Sequence, residues 1–244
     1  MNDANGGMSA IGLTRQRMLL LLTGLLLAQL VASIEGTVVS TAAPTIVADL
    51  GGLSQISWVF TGYLLTSTAT TPLWGKLSDL LGRRGLYELA IVVFMVGSVL
   101  CGAATGMNML IAARIIQGVG AGGIFTLTMT IMGDVMSPRE RGKYQGYMMS
   151  VYATATVLGP LVGGLLVDHA HWRWIFYMNI PLGFAALLLS RVTLNLPFAR
   201  RHHVIDYAGA TLLLLWVVAA LLVMQLGNDW GWASAQTIGV AAVA

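Results

Sequence analysis

Gly75-Lys76-Leu77-Ser78-Asp79-Leu80-Leu81-Gly82-Arg83-Arg84 places four charged side chains and a glycine near each end between two long apolar runs. A charge at mid-bilayer depth costs about 2.5–3.5 kcal/mol on insertion scales, so these residues belong at a water face, and the pattern predicts a tight turn there. Gly75 and Gly82 bracket Asp79, and glycine lets a backbone take positive φ or lets two helices approach closely. Short loops rich in Lys and Arg are retained inside the cell, which makes this face cytoplasmic. A connector that only sets orientation would have the same composition.

Outward from that stretch the chain reads as membrane. Of 244 residues 57% are hydrophobic and 9% charged, against roughly 25% charged in soluble domains. The formal charge of +3 comes from short basic clusters between apolar spans. With no continuous basic patch and no aromatic-basic module, nucleic acid is not expected as a partner. Cys101 is the one cysteine, so no disulfide can form within the chain, and its apolar surroundings suggest packing or lipid contact. Arg15 and Arg17 precede the apolar run from Met18 as in a secretory signal, but the run is too long and Pro44 follows Ala42-Ala43. An uncleaved first span is expected.

Runs able to cross about 30 Å at 1.5 Å per residue fall near 18–42, 54–75, 86–105, 108–132, 143–167, 173–194 and 204–226. An eighth begins near Ser234 and is too short to cross before Ala244, so the sequence reads as a fragment or truncation of a longer protein. With the N-terminus inside, 11 of the 13 basic residues fall on the cytoplasmic side; only Arg173 lies outside, and Arg114 lies within a span. Trp58, Trp172, Trp174, Trp230 and Trp232 fall near outer ends, where an interfacial aromatic belt is expected. Pro72-Leu73-Trp74-Gly75-Lys76-Leu77 and Pro160-Leu161-Val162-Gly163-Gly164-Leu165 share Pro-Leu-x-Gly-x-Leu at matching positions of the second and fifth spans. Those ends face opposite sides, so two triplets of helices are expected to be inverted copies, as in secondary transporters.

Several polar residues stand out against this apolar background. Glu35 is the one acid within the apolar body of the first span; an ionised carboxyl there is costly, which makes it a candidate proton carrier or, read plainly, a carboxylate near outer water. Arg114 enters the fourth span at similar depth, and Gln117 shares its helix face. Glu35 and Arg114 are expected to face one aqueous cavity and to bias each other's protonation. Tyr63, Thr66, Ser67, Thr70 and Thr71 form a polar stripe on the second span. It could line a cavity or bond helices together. Gly118-Val119-Gly120-Ala121-Gly122-Gly123 and Gly159-Pro160-Leu161-Val162-Gly163-Gly164 carry Gly-x-x-x-Gly spacing for close helix contact, and Pro160 should bend the fifth helix.

Nucleotide chemistry has no Gly-Lys-Ser/Thr loop to rest on. Asp168, His169 and His171 outside, and His202 with His203 inside, lack the burial and spacing of a catalytic metal site. No nucleophile-base pair is visible. Neither an enzyme nor a cofactor is expected.

Together these motifs resemble the major facilitator superfamily, specifically its fourteen-span drug:proton antiporter group. Gly75 through Arg84 resembles the loop between the family's second and third spans, with Leu80 where an Arg usually follows the aspartate. Leu110 through Gly120, with Arg114 and Gln117, resembles the fourth-span motif linked to proton transfer; Gly159-Pro160-x-x-Gly163-Gly164 resembles the fifth-span antiporter motif. Ile34-Glu35-Gly36-Thr37 through Pro44 resembles the first-span motif, with Glu35 in place of the usual Asp. Ile205-Asp206-Tyr207-Ala208-Gly209, Trp230-Gly231-Trp232 and the short link between spans six and seven favour the fourteen-span group.

The resemblance implies an all-α membrane fold of 3+3 inverted repeats with the start of two extra central helices. Residues 1–17 would be a cytoplasmic N-terminus, 18–194 the six-helix bundle, 195–203 a cytoplasmic linker and 204–244 the inserted helices, the second incomplete. It implies a plasma-membrane, proton-coupled exporter of hydrophobic or cationic compounds. Its partners would be a small-molecule substrate, protons, the lipid bilayer and a missing C-terminal half. Asp79 would cap a helix of that half, and Arg83 would pair with Asp134, with Arg84 in the same conformational loop. A metabolite or siderophore exporter, a symporter, and a membrane receptor or scaffold without transport are the alternatives.

Overall fold

The computed structural model describes residues 15–194 and 207–241, and every element among the described residues is helical. In chain order these are α1 (Arg15–Leu50), α2 (Ile56–Leu81), α3 (Arg83–Gly102), α4 (Met107–Val135), α5 (Pro138–His169), α6 (Trp174–Tyr177), α7 (Asn179–Thr193), α8 (Tyr207–Trp230) and α9 (Ala235–Ala241), with a 3-10 turn at Leu53–Gln55. Helices are what such a sequence must form in hydrocarbon, where every backbone polar group needs an internal partner. Among the described residues five stretches are long and apolar enough to cross a membrane: most of α1, α3, α4, most of α5, and α6 with α7. α2 has the length, at 26 residues, but its threonines and serines dilute its hydropathy. The expected linker at 195–203 and the segment before Arg15 lie outside the described residues, as do His202 and His203.

The charged decapeptide departs from expectation. It is almost wholly helical: α2 runs on through Leu81, and α3 starts at Arg83. Gly82 alone breaks the helix, at φ 97°, a conformation that side chains rarely tolerate. A helix satisfies its own backbone in water as well as in lipid, so α2 simply continues past the apolar region and carries Lys76 and Asp79 out with it. Gly75 makes no turn; it sits inside α2, where an added Cβ would meet only ordinary contact with the methyl of Thr126. The same overshoot makes α1 and α5 longer than their apolar spans.

α4 packs chiefly against α2 and α3, while α1 packs against α5 and α7. The α3–α4 seam is close because Gly120 lies on the backbone of Phe94; a Cβ there would collide with it. Among the described residues the buried apolar side chains form two clusters. One takes Met18 to Ala32 of α1, Leu86 to Phe94 of α3 and Ala121 to Val135 of α4. The other takes Ile34 to Ile46 of α1, Cys101 of α3 and Met107 to Ala113 of α4. The residues skipped between them on α3 and α4 include Ser98, Arg114 and Gln117, so a polar layer crosses the middle of the bundle.

Trp172 is a second correction. It is 1% exposed and cannot anchor at an interface. Its indole Nε1 donates to Asp49 Oδ2 at 2.9 Å, and Arg173 Nη1 approaches the same oxygen at 3.0 Å. Arg173 Nη2 also donates to the Ala104 carbonyl at 2.9 Å. A bidentate guanidinium therefore ties the end of α1 to the α3–α4 and α5–α6 connections, and it needs the tryptophan beneath it, with Arg173 Cζ 4.4 Å from the ring centre. Trp58, Trp174 and Trp232 are exposed.

Candidate functional site

The polar layer is built from five helices. Glu35 comes from α1, Val59 and Tyr63 from α2, Ser98 and Cys101 from α3, Arg114 and Gln117 from α4, and Asn179 from the first position of α7. Glu35 and Arg114 meet directly rather than across an aqueous cavity: Arg114 Nη1 donates to Glu35 Oε1 at 2.9 Å, and each side chain is 1% exposed. Arg114 Nη1 also donates to Gln117 Oε1 at 2.7 Å, and its Nε donates to the Val59 carbonyl at 3.1 Å. The Tyr63 ring lies under the guanidinium, 4.1 Å from Cζ to centroid, and its hydroxyl donates to the Ala32 carbonyl at 3.0 Å. A buried charge pair repays its desolvation only when the remaining donors and acceptors are filled, and here they nearly are.

The second Glu35 oxygen accepts from Asn179 Nδ2 at 2.5 Å. Asn179 Nδ2 also reaches Ser98 Oγ at 3.2 Å, and Gln117 Nε2 donates to the same hydroxyl at 2.7 Å. Cys101 Sγ lies 3.6 Å from Gln117 Oε1, so the lone thiol faces the network and packs away from lipid. Asn179 Oδ1, fully buried, has no protein partner. Gly97 admits Gln117 to the centre, since a Cβ there would stand about 2.5 Å from the Gln117 backbone.

Of the residues singled out in the sequence, Glu35, Arg114, Gln117 and Tyr63 converge here. Ser98, Asn179 and the Val59 carbonyl join them unannounced, and Cys101, expected to pack or to meet lipid, lies beside Gln117. The signal for Ser98 and Asn179 was a lone polar residue in an otherwise apolar run at the depth of Glu35. The rest of the α2 stripe makes helix contacts: Thr66 Oγ1 donates to the Ile115 carbonyl of α4 at 3.0 Å, and Thr70 Oγ1 to the Thr66 carbonyl at 2.7 Å. Ser67 is buried and bonds back to Leu64 at 2.9 Å.

The charged stretch forms a separate cluster at the end of the bundle where α2 stops and α4 stops. Arg83 Nε donates to Asp134 Oδ2 at 2.8 Å, and its Nη1 reaches Ser78 Oγ at 3.0 Å and pairs with Asp79. Arg84 pairs with Glu88 at 3.0 Å. Apart from that cluster, α1 and α5 touch through Gly159, which lies on the Thr37 side chain, and Gly163, which lies on Val38 and Thr41; Pro160 falls between them inside α5, and Gly164 has no neighbour within 4 Å of an added Cβ. Among the described residues no group of three or more His, Cys, Asp or Glu side chains could hold a metal ion.

A model of the Major Facilitator Superfamily matches residues 25–243 of this chain. The multidrug transporter protein MdtP of Bacillus subtilis is 42% identical over 226 residues, which is 92% of this chain and 42% of that protein. Multidrug resistance protein 3 of the same organism is 38% identical over 218 residues, 89% of this chain and 43% of that one. The chain thus spans about two fifths of the length of these curated relatives. In fold it is similar to the crystal structure of the human organic anion transporter MFSD10 (TETRAN), at a TM-score of 0.66 and 19% identity, over 88% of this chain and 57% of that one.

Proposed function

Since the chain belongs to the Major Facilitator Superfamily, a family of transporters, we propose that it is the N-terminal part of a multi-pass multidrug efflux transporter that exchanges protons for hydrophobic or cationic compounds. The observation that carries this reading is the buried Glu35–Arg114 pair, a carboxylate and a guanidinium held at 1% exposure in a membrane bundle with Gln117 and Asn179 as further partners. Ionisable side chains inside a membrane are expensive and mark ion or proton pathways. Proton uptake by Glu35 cancels one charge of the pair and leaves Arg114 to Gln117, Tyr63 and the Val59 carbonyl, so the contact between α1 and α4 weakens. One charge moving through 100 mV supplies about 2.3 kcal/mol, enough to bias two conformations more than tenfold.

The remaining parts take supporting roles. The exchange of α1 with α4, α2 with α5 and α3 with α7 converts each major packing pair into another: α1–α5 into α4–α2, and α1–α7 into α4–α3. This supports reading the two triplets as inverted copies that rock against a second half of the protein. Glycines 159, 163 and 164 with Pro160 would let α5 bend and slide on α1. Gly75, Asp79, Gly82, Arg83, Arg84 and Asp134 would hold one conformation at the cytoplasmic face, with the N-terminus on that side of the plasma membrane. Thr66 and Thr70, both partly exposed, would reach the substrate path beside Tyr63 and Ser67.

The test is acid-driven counter-flow of a lipophilic cation in vesicles bearing the whole protein. Flux that follows the proton gradient and vanishes in Glu35→Gln is the expected result. Flux unaffected by that substitution overturns the role of Glu35 as the proton carrier, and no counter-flow at all overturns the transport reading and leaves a membrane scaffold as the better one.

A further inference from the structure

Asn179 has a feature the rest of the polar layer lacks. Its amide is fully buried, its Nδ2 is spent on Glu35 Oε2 and Ser98 Oγ, and its Oδ1 has no partner. The orientation is set by charge. An amide oxygen turned toward a carboxylate oxygen at 2.5 Å would oppose two acceptors, so only the donor can face an ionised Glu35. Once Glu35 takes a proton on Oε2 from the aqueous phase, that oxygen becomes an O–H donor and a weaker acceptor, so the close contact now favours the amide oxygen over the amide N–H. Turning the amide supplies the new O–H with an acceptor.

From this geometry we propose that Asn179 is a positioning residue whose side-chain amide turns over when Glu35 is protonated, so that α7 registers the charge state of α1. The inference rests on the reading of Glu35 as the proton carrier. After the turn Oδ1 accepts the new Glu35 O–H. The Ser98 hydroxyl swings to donate to the same Oδ1, while its oxygen still accepts from Gln117 Nε2. Nδ2 replaces Oδ1 as the one unpartnered atom, so the number of unpaired buried groups is the same in both states and neither is locked. The charged and titratable groups packed around Glu35 each have a partner besides it: Arg114 from α4 donates to Gln117 and Val59, Tyr63 from α2 donates to Ala32, and Cys101 from α3 lies beside Gln117. Asn179 opens α7 one residue after the break at Met178. A change in its bonds therefore acts where the α6–α7 stretch is already interrupted.

Infrared difference spectra of the protein in liposomes, between mildly alkaline and mildly acid pH, test this directly. The expected signal is a protonated-carboxyl band together with a shifted side-chain amide carbonyl band, both lost in Glu35→Gln. Asn179→Leu should keep the carboxyl band and lose the amide band, and Asn179→Gln should restore it. Labelling the unmutated protein with carbon-13 asparagine should move the amide band without any substitution, which keeps the test valid if the leucine variant does not fold. A carboxyl band with no accompanying asparagine band overturns the role of Asn179 while leaving Glu35 as the proton carrier. Absence of both overturns the Glu35 reading and this inference with it.

Discussion

Two arginine–carboxylate pairs in this bundle have almost the same geometry and opposite surroundings. Arg114 meets Glu35 at 2.9 Å with both side chains 1% exposed; Arg83 meets Asp134 at 2.8 Å with exposures of 19% and 42%. Distance therefore says little about what either pair does. In the polar layer neither charge has water to fall back on, so each depends on the other and on Gln117, Asn179 and Val59. At the α2–α3 turn water screens both partners, and Arg83 also holds Asp79 and Ser78, so losing Asp134 costs it little. The buried pair suits a switch driven by a proton. The exposed cluster suits a contact made and broken as helices move.

The largest effects should come from splitting the buried pair. Arg114→Leu alone leaves an unpaired carboxylate and should cost about 3–5 kcal/mol of stability, read as thermal unfolding in detergent. Glu35→Leu with Arg114→Leu should regain most of that stability and still show no proton-driven flux. A single variant as stable as the double would remove the distinction between the two pairs. A middle-sized effect is expected at the glycine beneath the layer. Gly97→Leu pushes α3 off the Gln117 backbone, and overpacking of this kind costs about 1–3 kcal/mol. It should also lower flux by displacing Gln117 from Arg114.

How much of this contrast could be read from the sequence depends on the kind of contact. Glu35 and Arg114 were legible because a charge in an apolar run has so few explanations. Their direct bond was not, because depth along a helix fixes height and leaves rotation open. Asn179 and Ser98 were passed over since one neutral polar residue in a span is common, and only packing reveals that both meet Glu35 or its partners. The Arg83–Asp134 pair followed from the family resemblance. The turn around it did not: composition marks where charges leave the bilayer, but the helix continues until a residue such as Gly82 can adopt positive φ. Trp172 misled for a related reason. Proximity to an outer end suggests a belt, yet Asp49 and Arg173 supply polar partners that bury it.

The smallest predicted effect separates the two pairs most cleanly. In a double-mutant cycle, Arg83→Gln with Asp134→Asn should give a coupling of about 0.2–1 kcal/mol, the range for exposed ion pairs. The coupling should shrink further in high salt, where the screening length falls to about 3 Å. Arg83 retains Asp79 and Ser78 when Asp134 is neutralised, so even that figure is an upper bound. The same cycle on Glu35 and Arg114 should be several times larger and indifferent to salt, because ions cannot enter a layer closed above and below by apolar clusters. A salt-sensitive coupling at the buried pair would mean that water reaches Glu35 in the protein's resting state, and the proton would then need no conformational change to find it.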